Sequence, residues 1–312
     1  MPGTKSGLWI TDRWLVTEPF GVTLIMKHDE FFSQTLSHVL GSGLVLSTNR
    51  GGILSIDFSA RGSALVPPTA SDDVDASMTA VGDRVAVFSA LALCLHSAVL
   101  IDENVGKEAY PVTHRSLLHF SDSSIRWTPD MPLHVMPGQG IVIGPGRSGV
   151  FTQERITNAC HLLDRVLLLH PERVTLTAVS LLNEALVASQ SNNHALAVVT
   201  SWTISELLLA HRWNAYLDDT RGLVKSDRLK EMRGANYTAA MRSAILVVAR
   251  RIPESLLADL DAARGKRNRW LHRAVPVTSA DPARAIEVAR KMITEVLHLT
   301  LAVSPRAHAV VI

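Results

Sequence analysis

"HALAVVTSWTISELLLAHRWNAYL", residues 194–217, is apolar almost all the way round a helical wheel. It is too long for a strand, and Ala, Leu and Val leave it no broad polar face to give to water. The pattern predicts a helix at the centre of a bundle. Its neighbours carry narrower stripes, as helices around such a centre would. "TQERITNACHLLDRVLLL" (152–169) places Ile156, Cys160, Leu163 and Leu167 three and four residues apart. "ERVTLTAVSLLNEALVASQ" (172–190) does so with Val174, Ala178, Leu181, Leu182 and Ala185. In "SADPARAIEVARKMITEVLHLTLA" (279–302), Asp281 is the expected N-cap and Pro282 the first helical residue. Ile286, Ala289, Ile293, Val296 and Leu297 follow on one stripe. Residues 151–302 therefore read as a bundle of about five helices, and 303–312 as a loose tail or an added strand.

Before residue 151 the pattern is that of strands and turns. "LWITDRWLVT", "FGVTLIMKH", "GLVLST" and "GILSIDFSA" are short runs rich in Val, Ile, Leu and Thr. "STNRGGILSIDFSA" (47–60) reads as a hairpin, with glycine available for positive φ at its turn. "VAVFSALALCLHSAVLI" (85–101) falls slightly short of a membrane span and carries His96. It reads as buried strand. "PPTASDDVDAS" (67–77) reads as a solvated acidic loop: Asp72, Asp73 and Asp75 lack the later Gly and Glu of a calcium loop. In "MPGQGIVIGPGRSG" (136–149) the apolar "IVI" follows Gly138 and Gly140, where a dinucleotide fingerprint needs a helix. This is a short strand between turns. The expected fold class is α+β: a β-rich domain over 1–150, then an all-α bundle.

The totals set limits on function. The 312 residues are 47% hydrophobic and 19% charged, which is globular, and the net charge of +2 carries no whole-protein argument for nucleic acid. Cys94 and Cys160 stand far apart with no CxxC pair, so neither a disulfide framework nor a zinc ribbon is read, and a reducing cytoplasm is the expected setting. The opening "MPGTKSGLWITDRW" has no apolar core of a secretory signal. The chain holds no HExxH, GxSxG or paired-carboxylate constellation.

One local feature does point to chemistry. "RGKRNRWLHRA" (264–274) gathers five cationic side chains around Asn268, Trp270 and His272. On a helix, Asn268 and His272 lie four apart on one face, and the long Arg267 side chain can swing back to join them. A permanent cation with forked donors, an amide and an imidazole that titrates near neutrality then share one place. Those parts suffice to cleave RNA: a base takes the ribose 2′-OH proton, the oxygen attacks phosphorus, and a cation stabilises the transition state. Arg264, Lys266, Arg269 and Arg273 are flanking charges that read either as a solvated face or as phosphate contacts. Trp270 reads as core or as a base-stacking ring, and Trp202 as core. The spacing alone has little weight, because "RVLLLH" (165–170) shares it inside an ordinary amphipathic pattern.

Order along the chain adds weight. A helix "ALAVVTSWTISELLL" (195–209) with Trp202 and Glu206 precedes a helix that runs into "RNRWLH", and a capped amphipathic helix closes the set. In these respects residues 151–302 resemble the HEPN superfamily, whose motif takes the form Arg-Asn-x-x-x-His. The resemblance implies a helical domain that pairs with a second copy and cleaves RNA without metal or cofactor. It implies that Arg267 stabilises phosphate, His272 transfers protons and Asn268 orients one of them, with RNA or a nucleotide as ligand. Glu206 would need a partner, either Arg267 or, on its own helix, His211 or Arg212. Arg273 and Ala274 follow the His where the family often has glycine or a polar turn. A microbial defence or toxin system is the implied setting, with the β-rich half recognising an unidentified partner. The second reading is a non-catalytic HEPN protein that dimerises and holds a nucleotide.

Overall fold

A computed structural model describes residues 5–9, 13–15, 24–26, 34–49, 53–59, 74–103, 109–113, 116–121, 124–126, 134–136, 140–143, 149–169, 173–234 and 236–305. They belong to two compact units, Met1–Asp102 with Tyr110–Leu168, and Glu103–Ala109 with Leu169–Ile312. The architecture is α+β and mostly helical, with its sheets in the first unit. The helix over 153–168, read above with the C-terminal half, groups with the N-terminal one.

In the first unit the described strands are β1 (Lys5–Trp9), β2 (Arg13–Leu15), β3 (Leu24–Met26), β4 (Gln34–Val39), β5 (Val45–Asn49), β6 (Ile53–Asp57), β7 (Leu117–Ser121), β8 (Ser124–Arg126), β9 (His134–Met136), β10 (Gly140–Ile143) and β11 (Gly149–Phe151). The main sheet runs β4-β5-β6-β1-β7-β8 with every pair antiparallel. The hairpin expected near residue 50 is present in its strands: Val45 pairs with Asp57 and Thr48 with Leu54, while the turn at 50–52 lies outside the described residues. β10 is the short strand expected at 140–143, and it pairs with β3 and β9. Gly138 lies outside the described residues, as do Asp72 and Asp73.

The run from Val85 is not a strand. It belongs to α1 (Val74–Glu103), because Ala, Leu, Ser and Cys fill its middle and the run far exceeds strand length. Val74–Ser77, part of the expected acidic loop, form its first turn, with Asp75 where the helix dipole favours a carboxylate. By length and composition Val74–Leu100 would suffice to cross a membrane, yet 61% of its most apolar window is buried inside the protein. Its side chains explain the burial. Phe88 meets Phe58 edge to face at 6.2 Å. Arg84, wholly buried, donates from Nη1 to Ser6 Oγ on β1 at 2.9 Å and lies 4.9 Å from the Phe58 ring centroid. Burial pushes the Arg84 guanidinium down to about 10, against the opposing pull of Asp57. This helix fills the core beneath the sheet.

α2 (Gln153–Leu168) buries Ile156, Cys160 and Leu163 on the expected stripe, with Leu167 half-buried. "RVLLLH" is part of it: Arg165 is exposed in its last turn, and His170 lies outside the described residues. Its Asp164 reaches the β4–β5 turn, where the carboxylate accepts from the amides of Gly41 (2.7 Å) and Ser42 (3.1 Å). Gly43 closes that turn at φ 84, a left-handed conformation that suits glycine. Cys94 and Cys160 are free and buried; burial raises both thiols, Cys160 to about 12, so neither is a thiolate at neutral pH.

The second unit contains α3 (Val174–Gln190), α4 (His194–Asp219), α5 (Ser226–Met232), α6 (Ala239–Val248), α7 (Glu254–Arg273) and α8 (Asp281–Leu297). The expected central helix is α4, which packs against α3, α6, α7 and α8. Trp202 is core, as read. Trp213 is fully buried, stacks on Tyr237 at 5.6 Å and donates from Nε1 to the Met232 carbonyl at 3.1 Å. All five residues of the predicted α8 stripe are buried. Its cap differs by one position: Ala280 is the N-cap, and Asp281 is the first helical residue with its carboxylate turned back to Thr278. The start of the tail is tied down, since the carbonyls of Ser304 and Pro305 accept from Gln190 Nε2 and Ser189 Oγ. Residues 306–312 lie outside the described residues.

Asp164 supplies a test of the first unit. Asp164→Ala leaves two turn amides to water, and a loss of roughly 1–2 kcal/mol in urea unfolding is expected. Asp164→Asn, which keeps one acceptor, should lose less. An unchanged unfolding midpoint in Asp164→Ala would show that the turn forms without this contact.

Candidate functional site

The basic stretch is the C-terminal half of α7. Pro253 sets the entry in an extended conformation, and Glu254 occupies the first turn. Leu256, Leu260 and Ala263 form a narrow buried stripe against the bundle. Beyond Ala263 the helix has no fully buried residue, and the side-chain contacts described there are polar ones beside the half-buried Trp270. It ends at Ala274, left-handed at φ 50, whose amide donates to Trp270 O while that of Val275 reaches back to Arg269 O. Ala274 in the left-handed region shows that the turn after His272 forms without glycine, at some strain.

Ion pairs with α8 fix this helix. Lys266 Nζ lies 2.9 Å from an oxygen of Asp281, which begins α8 and is only 5% exposed. Asp281 also accepts from the amide and hydroxyl of Thr278, each at 2.8 Å. Burial alone would raise its pKa, but the hydrogen bonds from Lys266 and Thr278 prevail and hold it below the usual aspartate range. At the other end, Lys291 Nζ meets Asp259 at 2.8 Å. The crossed pairing, early α7 with late α8 and the reverse, marks the two helices as antiparallel neighbours.

On this frame the predicted residues separate into groups. Arg267 is half-buried and donates from Nη1 to Asn268 Oδ1 at 3.0 Å. This contact brings the guanidinium round to the Asn268 side of the helix, the side that His272 shares one turn later. The Arg267 Nε is buried with no acceptor among the described residues. His272 is exposed in the last turn, as is Arg273, and Trp270 is half-buried. Arg264 is taken up by Asp261 at 3.0 Å. Lys266 is committed to Asp281 and is a structural cation. Lys266 and exposed Arg269 line a groove between α7 and α8 of about 730 Å³.

Glu206 stands elsewhere. It is half-buried on α4 and lines a separate depression of about 490 Å³ with Tyr237, Thr238 and Arg242 of the α6 region. No ion pair joins it to Arg267 among the described residues, and the support expected from it is not seen there. Of the other histidines, His38, His119 and His134 sit on strands, and His96 is buried in α1 and not in the strand expected for its run. Among the described residues no three His, Cys, Asp or Glu side chains gather as a metal site would require. The sequence reading missed Arg284, which lines the α7–α8 groove, and the ion-pairing role of Asp281. The helical period carried a signal for both, since 281, 284, 285 and 288 share one face. No known family model, curated protein or solved structure matches the chain.

The Asp281 latch gives a pH prediction. A carboxylate held below its usual value adds stability above the unfolded aspartate pKa of about 3.9, and that stability is lost as pH falls through the folded value. Near neutral pH, Asp281→Asn should be less stable than wild type by roughly 2 kcal/mol, since Lys266 loses its counter-charge. In acid below the aspartate range the gap should close. Urea unfolding at both pH values measures it, and a constant gap would assign the loss to packing.

Proposed function

We propose that the C-terminal unit is a HEPN-type endoribonuclease that cleaves RNA without metal, at a site built from two copies of the chain. The observation that carries this reading is the Arg267–Asn268 hydrogen bond on the helix face that continues to exposed His272. A fixed cation and an imidazole, with an amide between them, then stand within about a turn and a half of each other.

The chemistry follows from those groups. The neutral His272 imidazole takes the proton of a ribose 2′-OH, and the 2′ oxygen attacks the adjacent phosphorus. The bond from phosphorus to the 5′ oxygen breaks, and that oxygen takes a proton from an imidazolium, which the partner's His272 can supply. The products are a 2′,3′-cyclic phosphate and a free 5′-OH. Arg267 neutralises charge on the equatorial oxygens, and Asn268 holds its guanidinium in the direction the phosphate needs. The setting that fits is the cytoplasm of a microbe, in a defence or toxin system, with the sheet-bearing unit recognising a partner that starts the reaction.

A second reading has an observation of its own. His272 has no orienting hydrogen bond among the described residues, and Glu206 lines a different depression. That arrangement also suits a non-catalytic HEPN protein that dimerises and holds a nucleotide by Arg267.

Incubation of total RNA with the full chain in EDTA separates the two. Wild type should cleave, His272→Ala should cleave about 10²–10⁴-fold more slowly, and Arg267→Ala about 10²–10³-fold more slowly. The products should carry cyclic phosphate ends. Equal cleavage by all three proteins rejects the mechanism. Inert wild type that binds a nucleotide through Arg267 establishes the second reading.

A further inference from the structure

The α7–α8 groove is a second feature beside the motif, and its charge does not balance among the described residues. Its floor is made of small side chains: Ala263, Ala285 and Val288 are nearly buried there, and where larger ones would close the helices together a space of about 730 Å³ remains. Each acidic group along it already has a cation. Asp281 is held by Lys266, Asp259 by Lys291, and Glu287 by Arg290 through two hydrogen bonds of 2.8 and 2.7 Å. Arg290 holds Glu287 below its usual carboxylate range, so it stays an anion spent on Arg290. Two cations are left over, Arg269 on α7 and Arg284 on α8. Both are exposed, both line the groove, and neither is paired with a carboxylate among the described residues.

Guanidinium groups keep their charge at every working pH and offer forked donors that match phosphate oxygens. One on each of two adjacent helices, above an apolar floor, suits a chain that alternates phosphate with sugar and base. The groove also opens beside the proposed reaction centre. Arg269 and His272 are three residues apart on α7 and so are neighbours on its surface. Resting on the ribonuclease reading above, we propose that this groove is the track for the single-stranded RNA backbone next to the scissile phosphate, with Arg269 and Arg284 as its two phosphate contacts. Arg264 and Lys266, committed to Asp261 and Asp281, are not contacts.

The test uses a fluorescently labelled single-stranded polyuridine oligonucleotide and the full chain carrying His272→Ala, so that the RNA stays intact. Anisotropy titrations across a range of salt concentrations give both affinity and salt slope. In this background, Arg269→Glu and Arg284→Glu should each weaken binding on the order of tenfold. Each should also reduce the slope of log affinity against log salt by about 0.7, and the double reversal by about 1.4. Arg221→Glu, a reversal at an exposed ion pair on the α4–α5 connection, should change neither, which separates a track from bulk charge. A mononucleotide in excess should compete poorly if several phosphates are held together, and fully if the site takes one free phosphate group, which would overturn the track. Unchanged affinity and slope in the double reversal, or an equal effect from Arg221→Glu, also overturns it. These results are independent of cleavage. Inert wild type whose binding depends on the two arginines removes the nuclease reading and leaves the groove, while active wild type indifferent to them does the reverse.

Discussion

A carboxylate with almost no exposure, Asp281, holds together the part of the molecule on which its proposed chemistry depends. It stands where α8 begins and takes Lys266 from α7 and the amide and hydroxyl of Thr278 from the connection between them. It matters to the last turns of α7 because the fully buried stripe of that helix stops at Ala263. Hydrophobic burial fixes the first half of α7, and an ion pair to the buried Asp281 helps to fix the second. The division fits the proposed role: a segment that meets phosphate must be polar, and directional contacts are what orient a polar segment. With Asp281 buried and Lys266 partly exposed, this ion pair adds little net stability over an apolar contact of the same size, so its value is in orientation.

Helical periodicity made most of the second unit legible in the sequence. The central position of α4 followed from its lack of a polar face, and the α8 stripe was readable residue by residue. The hairpin of β5 and β6 was readable for the opposite reason, an abrupt change to period-two runs around glycines. α1 was misread because it has neither period. An apolar run without alternation or stripe is compatible with a buried strand and with a buried helix, and only length separates them. Its polar members mislead further, since Arg84 and His96 are internal. Arg84 is accommodated by Ser6 and Phe58, residues far away in sequence, and no local pattern can announce such a partnership.

The candidate site was legible as chemistry but not as geometry. Residue types and spacing placed Arg267, Asn268 and His272 on one helix, and they are on one. Which of the flanking cations are available to a ligand was not readable, because that depends on carboxylates of another helix. Lys266 and Arg269 look alike in sequence, three residues apart. One is spent on Asp281 and the other is not. Glu206 was assigned to the motif because a buried acid needs a base, and Arg242, the base it lies near, comes from α6, in a segment that the motif did not single out.

The unmet donor on Arg267 bears on how the segment would act. A buried N–H without an acceptor costs on the order of 1–3 kcal/mol relative to a satisfied one, and Asn268 occupies only the Nη1 side of the group. A guanidinium so held is oriented by Asn268, and because its Nε is itself buried, in the proposed site an anion meets the group through its Nη donors. Under the proposed reading, such a contact is strongest with the species that carries the most charge on its oxygens, which in phosphoryl transfer is the transition state and not the bound diester. A surface arginine free to turn would satisfy itself with water and discriminate weakly between the two. Partial satisfaction by a neighbouring amide, on a helix end clamped by a buried carboxylate, is therefore the feature that most distinguishes Arg267 from the cations around it.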